Sequence, residues 1–297
     1  MNERLTWEQA PAVLVKAVES KLGPIRKADT VLGRRPGLAA RVYGADDDAF
    51  IKAIPLGTPA AWFYQREQQA TTLMQSWSPA PILMWELMTD DWLLLAIELV
   101  NDHARHVDLR PGSADIDPTL NALHELSIPL PEPRPQTAAE WYRAKWAKAE
   151  HMLNLSADKV PSRNLYEQAV EGFDFKRLET EAPTLIHADL SRRNLLIKDR
   201  RVVAVDWSTW CIGAWWIMPA TMAPAFIAEG HQPWEVDVLL GGVSTLWRSV
   251  PAAEVAGLAA VQGLLHLERA MFGPAERQAD FRLLAEASRK WMTYRLG

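Results

Sequence analysis

A histidine, a carboxylate and an amide lie close together in His187-Ala-Asp189-Leu-Ser-Arg-Arg-Asn194, and a second carboxylate, Asp206, follows on the next apolar run. The full segment is Leu185-Ile-His-Ala-Asp-Leu-Ser-Arg-Arg-Asn-Leu-Leu-Ile197, then Val202-Val-Ala-Val-Asp206-Trp207. Its texture predicts strand, loop, strand, turn, strand, with Asp189 and Asn194 on one tight loop. A hairpin from Leu195 returns Asp206 beside Asn194. One carboxylate to take the proton of an attacking hydroxyl, and two hard oxygen donors fit for magnesium, are parts that phosphoryl transfer from a nucleotide needs. A bare His-x-Asp-x4-Asn is a weak motif, equally readable as a hairpin with an Asp cap and a solvated Asn turn. The flanking strands and Asp206 favour the chemical reading.

Transfer of a phosphoryl group also needs a cation. Lys52 lies inside an apolar strand, Phe50-Ile-Lys-Ala-Ile54, where a lysine needs either an exposed face or a partner. Glu67, on the following helix, is the candidate partner. Gly33 and Gly37 bound the loop between the first two strands. That loop either folds over phosphates with its backbone N–H groups or is an ordinary hairpin connection.

The elements that must hold these residues are legible as alternating textures. Thr6-Trp-Glu-Gln9 has capping-box spacing and predicts a helix to about Lys21. Runs at Ile25 to Leu32, Ala39 to Tyr43 and Ala49 to Ile54 predict an antiparallel meander. Thr58-Pro59 predicts a helix start, running to about Gln75. Ile82 to Met88 and Trp92 to Val100 complete a five-stranded sheet with one helix against it. After about Asn101 the pattern is mainly helical, with helices predicted from Asp117-Pro118 to Leu126 and from Thr137 to Leu153. The expectation is an α+β chain of two lobes: residues 1–100 β-rich and nucleotide-binding, residues 101–297 helical with the Asp189 loop and the acceptor site.

Composition narrows the class. At 297 residues, 48% apolar and 23% charged, the chain can bury a sizeable core as a globular enzyme. A net charge of -5 argues against a nucleic-acid partner. The single cysteine, Cys211, excludes an intramolecular disulfide and a cysteine-based zinc site. The polar N-terminus predicts a cytoplasmic location. Ser208 to Ala228 carries no charge, but its prolines and polar residues predict a buried segment of a globular domain and not a membrane span.

In this order, these residues resemble the aminoglycoside phosphotransferase and choline kinase family, whose fold is that of protein kinases. The resemblance runs from about Ile25 to the final helices and is most specific over Leu185 to Trp207. It implies that Lys52 contacts the α- and β-phosphates of ATP or GTP and that Glu67 holds Lys52. It makes Glu98 to Val100 the hinge for the base, Asp189 the catalytic base, and Asn194 and Asp206 the magnesium ligands. His187 becomes a structural histidine bracing the loop. The departures are also informative. The loop reads His-Ala-Asp, Asp206 is followed by Trp-Ser, and no Ala-Pro-Glu segment occurs, which disfavours protein substrates.

The implied reaction transfers a γ-phosphoryl group to a hydroxyl of a small molecule, an antibiotic of aminoglycoside, macrolide or nucleoside type. A metabolic alcohol such as choline or a sugar is the alternative acceptor. A catalytically inactive nucleotide-binding relative and a metal-dependent hydrolase using His187, Asp189 and Asp206 are the competing classes. Aminoglycosides are polycations, yet the chain after Asp206 offers Trp207, Trp210, Trp215 and Trp216 and no acid until Glu229. Trp207, Trp210 and Trp215 therefore either line an acceptor pocket for a ring-bearing compound or fill the core. His103, past the hinge, is a candidate substrate contact or a surface residue. A monomer or homodimer is expected.

Overall fold

The computed structural model describes residues 4–31, 36–74, 78–100, 104–129, 136–156 and 158–297. Two compact units divide the chain: residues 1–105 with 203–210, and residues 106–202 with 211–297.

The first unit is built on a six-stranded sheet. Its elements are β1 (Arg4–Leu5), α1 (Ala12–Leu22), β2 (Lys27–Thr30), β3 (Gly37–Tyr43), β4 (Asp48–Pro55), α2 (Ala61–Leu73), β5 (Leu83–Met88) and β6 (Trp92–Glu98). The path β1-β3-β4-β6-β5 is antiparallel except for β1, which runs parallel to β3, while β2 pairs with the same strand β3. The five predicted strands are present. The sixth is a two-residue pairing of Arg4 with Gly37 and Leu5 with Leu38, too short to leave a periodic signal.

Period-two alternation along β4 and β6 gives the sheet two apolar faces. Ala49, Ile51, Ala53, Leu94 and Ala96 pack with Leu14, Val18 and Leu22 of α1. Ile54, Leu93, Leu95 and Ile97 pack with Ala61 and Tyr64 of α2. The expected single helix is therefore corrected to one on each face.

The predicted helix over Thr6 to Lys21 divides in two, for a local reason. Its capping box closes only a 3-10 turn at Trp7–Gln9. Ala10 precedes Pro11, which excludes it from helical backbone, and its ψ is 136°. The α-helix then starts at Ala12. Thr58 does not cap α2 either: its hydroxyl donates back to the Pro55 carbonyl at 2.8 Å, and the helix begins at Ala61.

The second unit is mainly helical. Its elements are β7 (Arg105–His106), α3 (Ile116–Leu126), α4 (Ala138–Ala149), α5 (Arg163–Glu171), β8 (Thr184–His187), β9 (Leu195–Lys198), β10 (Arg201–Ala204), β11 (Trp210–Gly213), α6 (Ile217–Ala228), α7 (Pro233–Gly241), α8 (Ala252–Phe272) and α9 (Gln278–Leu296). The chain passes between the units within β7, β10 and β11. Two small sheets have the orders β10-β9-β7 and β11-β8. Thr137 and Glu140 form the predicted capping box of α4, with the Glu140 N–H donating to the Thr137 hydroxyl at 3.3 Å. The charge-free segment becomes β11 and the largely buried α6. No helix among the described residues is long and apolar enough to cross a membrane.

Candidate functional site

In the first unit, the alternation that buries Ile51 and Ala53 against α1 turns Lys52 to the α2 face of the sheet. There its ammonium donates to both oxygens of Glu67, at 2.7 and 2.6 Å, and to Asp206 Oδ1 at 3.2 Å. The Lys52 and Glu67 side chains are 14% and 5% exposed, whereas that of Asp206 is 41% exposed. Burial works against the charge on Lys52. The Glu67 and Asp206 carboxylates outweigh it and hold the ammonium above the ordinary lysine range. Lys52 is thus a fixed cation, bound from behind by Glu67 and shared with a carboxylate that stays accessible.

Asp206 is itself tied by the Ser208 hydroxyl, which donates to Oδ1 at 3.0 Å. Its backbone has φ of +64°, a left-handed conformation that aspartate adopts more readily than most residues. The residues on either side of it are anchored firmly. Ala204 N–H donates to the Pro79 carbonyl at 2.7 Å, and the Trp207 indole donates to the Ala204 carbonyl at 2.8 Å. Trp210 donates to the Arg66 carbonyl at 2.6 Å, and the Arg66 guanidinium donates back to the Trp210 carbonyl. That guanidinium lies over the rings of Trp62 and Trp210, 5.0 and 4.7 Å from their centroids.

Trp207 and Trp210 are therefore core residues, 0% and 1% exposed, and the expectation that they line an acceptor pocket is corrected. Their N–H groups are spent on backbone carbonyls. Trp215, in the second unit, is half-buried, and its carbonyl accepts from Ser127 at 3.3 Å.

In the second unit, every residue of β8 is buried, and His187 ends it at 0% exposure. The Asp189 N–H donates to His187 Nδ1 at 3.3 Å, and Leu190 N–H to the His187 carbonyl at 3.1 Å. The Asn194 side-chain amide donates to the Asp189 carbonyl at 2.9 Å, closing the loop. Of the Asn194 carboxamide only the oxygen is an acceptor, and the Asp189 side chain is exposed. Arg192 and Arg193 project from the same loop to Glu229 at 3.3 Å and Asp280 at 2.7 Å.

Lys145, on α4, is a residue that sequence reasoning missed. Its ammonium donates to the Ala188 carbonyl at 2.5 Å, next to Asp189. Burial lowers its pKa, and the nearby Asp189 carboxylate works in the opposite direction. Only the fold brings α4 to this loop, 43 residues along the chain, so no local signal could have marked it.

The remaining candidates lie apart. Gly37 opens β3 with φ of +100°, and a Cβ there would meet the Ala53 carbonyl oxygen at 2.6 Å, so backbone geometry alone demands glycine. Glu98 ends β6, its carboxylate accepting from Ile82 N–H at 3.3 Å, and Val100 is half-buried just beyond. Gly33 and His103 fall outside the described residues. Among the described residues no cluster of three His, Cys, Asp or Glu side chains could hold a metal unaided. Asp206, in the first unit, and Asn194, in the second, each carry a hard oxygen donor of the kind magnesium takes.

Residues 114–233, with the whole Asp189 loop and Asp206 inside them, match the model of the phosphotransferase enzyme family. Among curated proteins none matched. Solved structures match over nearly the full chain. Aminoglycoside phosphotransferase from Alicyclobacillus acidocaldarius is 13% identical, with a TM-score of 0.60 over 97% of this chain and 96% of that one. Choline kinase LicA from Streptococcus pneumoniae is 14% identical, with a TM-score of 0.59 over 95% and 97%. A thermostable mutant of aminoglycoside phosphotransferase APH(4)-Ia, in a ternary complex with ADP and hygromycin B, is 13% identical, with a TM-score of 0.58 over 95% and 97%. At these identities the likeness establishes the fold, and the family match covers the segment that carries the Asp189 loop. The chain thus has the fold of these kinases, and its residues 114–233 are similar to the phosphotransferase enzyme family.

Proposed function

We propose that this protein transfers the γ-phosphoryl group of ATP or GTP to a hydroxyl of a small molecule. The observation that carries the reading is the buried Lys52–Glu67 pair with Asp206 at its accessible end. A structural ion pair has no need of a third, half-exposed carboxylate at 3.2 Å, whereas a phosphate-binding lysine held beside a metal ligand does.

Lys52 supplies a permanent positive charge for the α- and β-phosphates, and Glu67 keeps its ammonium in place. Asp206 and Asn194 would hold magnesium, which neutralises charge on the phosphate oxygens when bound. Asp189 takes the proton of the acceptor hydroxyl as that oxygen bonds to the γ-phosphorus. The bond from the γ-phosphorus to the bridging oxygen breaks, and the nucleoside diphosphate leaves with the electron pair. His187 and Asn194 fix the loop backbone on either side of Asp189, and Lys145 fixes the Ala188 carbonyl. These contacts support positioning of the base before substrate arrives, which is where most of the rate comes from in such reactions.

The test is incubation with magnesium and either nucleotide against aminoglycosides, macrolides, nucleoside antibiotics, choline and sugars, with acceptor mass read by mass spectrometry. An acceptor gaining one phosphate establishes the reaction. With that acceptor, Asp189→Asn is expected to fold, bind nucleotide and lose about 100- to 10,000-fold in turnover. A variant as fast as the natural protein overturns the mechanism.

A further inference from the structure

Lys145, half-buried on α4, spends one of its three N–H donors on the Ala188 carbonyl and makes no other hydrogen bond among the described residues. Its neighbours on the same helix are the faces of Tyr142, 5.0 Å from the ring centroid, and Trp141, at 5.8 Å. A single carbonyl needs a donor but not a positive charge. A hydroxyl or an amide would serve it without the cost of withdrawing an ammonium from water. The charge therefore calls for another partner.

The titratable groups facing Lys145 are Asp189 on the loop after β8, Cys211 on β11, Arg269 on α8 and Lys148 on α4 itself. Asp189 does most among them to favour the ammonium. The two side chains do not come within ion-pair distance, so the cation attracts the carboxylate without occupying the lone pair that must take a proton. His266, also on α8, faces Lys145 from a group built around the ring of Phe281 on α9. Arg277 and Arg269 lie 4.5 and 5.5 Å from the centroid of that ring. Burial and the neighbouring cations keep the imidazole neutral at pH 7, so it contributes no change of charge above neutrality.

Lys52 and Lys145 are displaced in opposite senses. Glu67 and Asp206 hold Lys52 above the ordinary lysine range, whereas burial holds Lys145 below it against the pull of Asp189. Burial pushes the Tyr142 phenol up. As pH rises, Lys145 is the first of these three to lose its proton.

We propose that Lys145 is a positioning residue for Asp189, and that the reaction proceeds only while Lys145 carries its proton. The ammonium tethers the backbone just before the base and draws the carboxylate into one orientation; the neutral amine keeps at most the tether. This role rests on the phosphotransferase reading of Asp189 and deepens it by naming what regulates the base.

The natural protein, Lys145→Met and Lys145→Arg are compared on the acceptor found by the mass screen, from about pH 6 to about pH 10. Melting temperature and magnesium-nucleotide affinity are measured alongside. Lys145→Met should lower kcat by about 10- to 100-fold at pH 7 with acceptor KM within about twofold. It should also lack the alkaline loss of rate that the natural protein shows below the ordinary lysine range. Lys145→Arg, charged throughout, should recover part of the rate and move that loss to higher pH. Full kcat in Lys145→Met, a change confined to KM, or an alkaline loss unmoved by either substitution overturns the role.

A second measurement needs neither turnover nor a variant at position 145. Followed by NMR in the natural protein, the labelled ε-carbon of Lys145 should titrate below the ordinary lysine range. Asp189→Asn should lower its midpoint further, because the carboxylate that favours the ammonium is gone. An ordinary midpoint, or one indifferent to Asp189→Asn, overturns the pairing whatever the activity. A lowered, Asp189-dependent midpoint in a protein that phosphorylates no acceptor upholds the pairing and counts against the transfer reaction, so the two failures are distinct.

Discussion

Removing either member of the Lys52–Glu67 pair should be far more damaging than its place in a mere ion-pair census suggests. Lys52→Met takes the ammonium away from a Glu67 carboxylate whose side chain is 5% exposed. Breaking a buried pair from one side costs about 3–5 kcal/mol, because the remaining charge loses its compensation. Glu67→Gln is milder, since Lys52 keeps Asp206 at 3.2 Å and the amide oxygen can still accept. The loss there is that of a charge-assisted hydrogen bond, about 2–3 kcal/mol. The double variant strands neither charge and should be no less stable than Lys52→Met alone, a coupling of about 3 kcal/mol. The assay is thermal unfolding at pH 7, where about 2 °C per kcal/mol for a chain of this size gives a fall of about 6–10 °C for Lys52→Met. Two single-variant losses that simply add in the double would refute the reasoning, as would a Lys52→Met protein within about 2 °C of the natural one.

Other perturbations separate binding from architecture. Asp206→Asn should weaken magnesium-nucleotide binding by about tenfold or more in a direct titration while the fold survives. Arg66→Met keeps most of the apolar stem but leaves the Trp210 carbonyl without its donor and two indole faces without their cation. It should destabilise the protein by about 2–4 kcal/mol, read as a lowered melting temperature. His266 is held neutral, its pKa pushed from 6.5 to about 3 by burial and by Arg269, Lys145 and Arg277. The unfolded chain therefore takes up a proton that the native protein refuses as pH falls through about 6.5. Stability is lost in that window, at no more than about 1.4 kcal/mol per pH unit. His266→Gln should flatten this part of the melting-temperature profile between pH 7 and pH 4, and an unchanged slope would exclude His266 as its source.

Strand periodicity made much of this legible. A lysine between Ile51 and Ala53 had to face away from the α1 side of the sheet, and the one acid on the predicted helix from Thr58 to Gln75 was Glu67. The β8 loop announced itself through apolar runs on either side of Asp189 and Asn194. The aromatic count was less informative, because a tryptophan in a core and one in a pocket have the same composition and spacing. What separates them is where the indole N–H goes, and Trp207 and Trp210 send theirs to the backbone of Ala204 and Arg66. Lys145 and the Phe281 cluster were illegible for another reason. Their partners lie on α4, α8 and α9, and no local pattern records which helices the fold will place together.

The left-handed backbone at Asp206 restricts what evolution and the experimenter can place there. Most side chains at φ of +64° crowd the neighbouring carbonyl, so alanine at this position would lose the carboxylate and strain the chain at once. Asparagine tolerates the same conformation and alters the charge alone; glycine relieves the backbone and removes the whole side chain. The three replacements form a ladder in which conformation and ligation are varied separately. A drifting descendant that gave up catalysis would be free to settle on asparagine or glycine long before alanine, leaving in its sequence a trace of the turn after the reaction itself was gone.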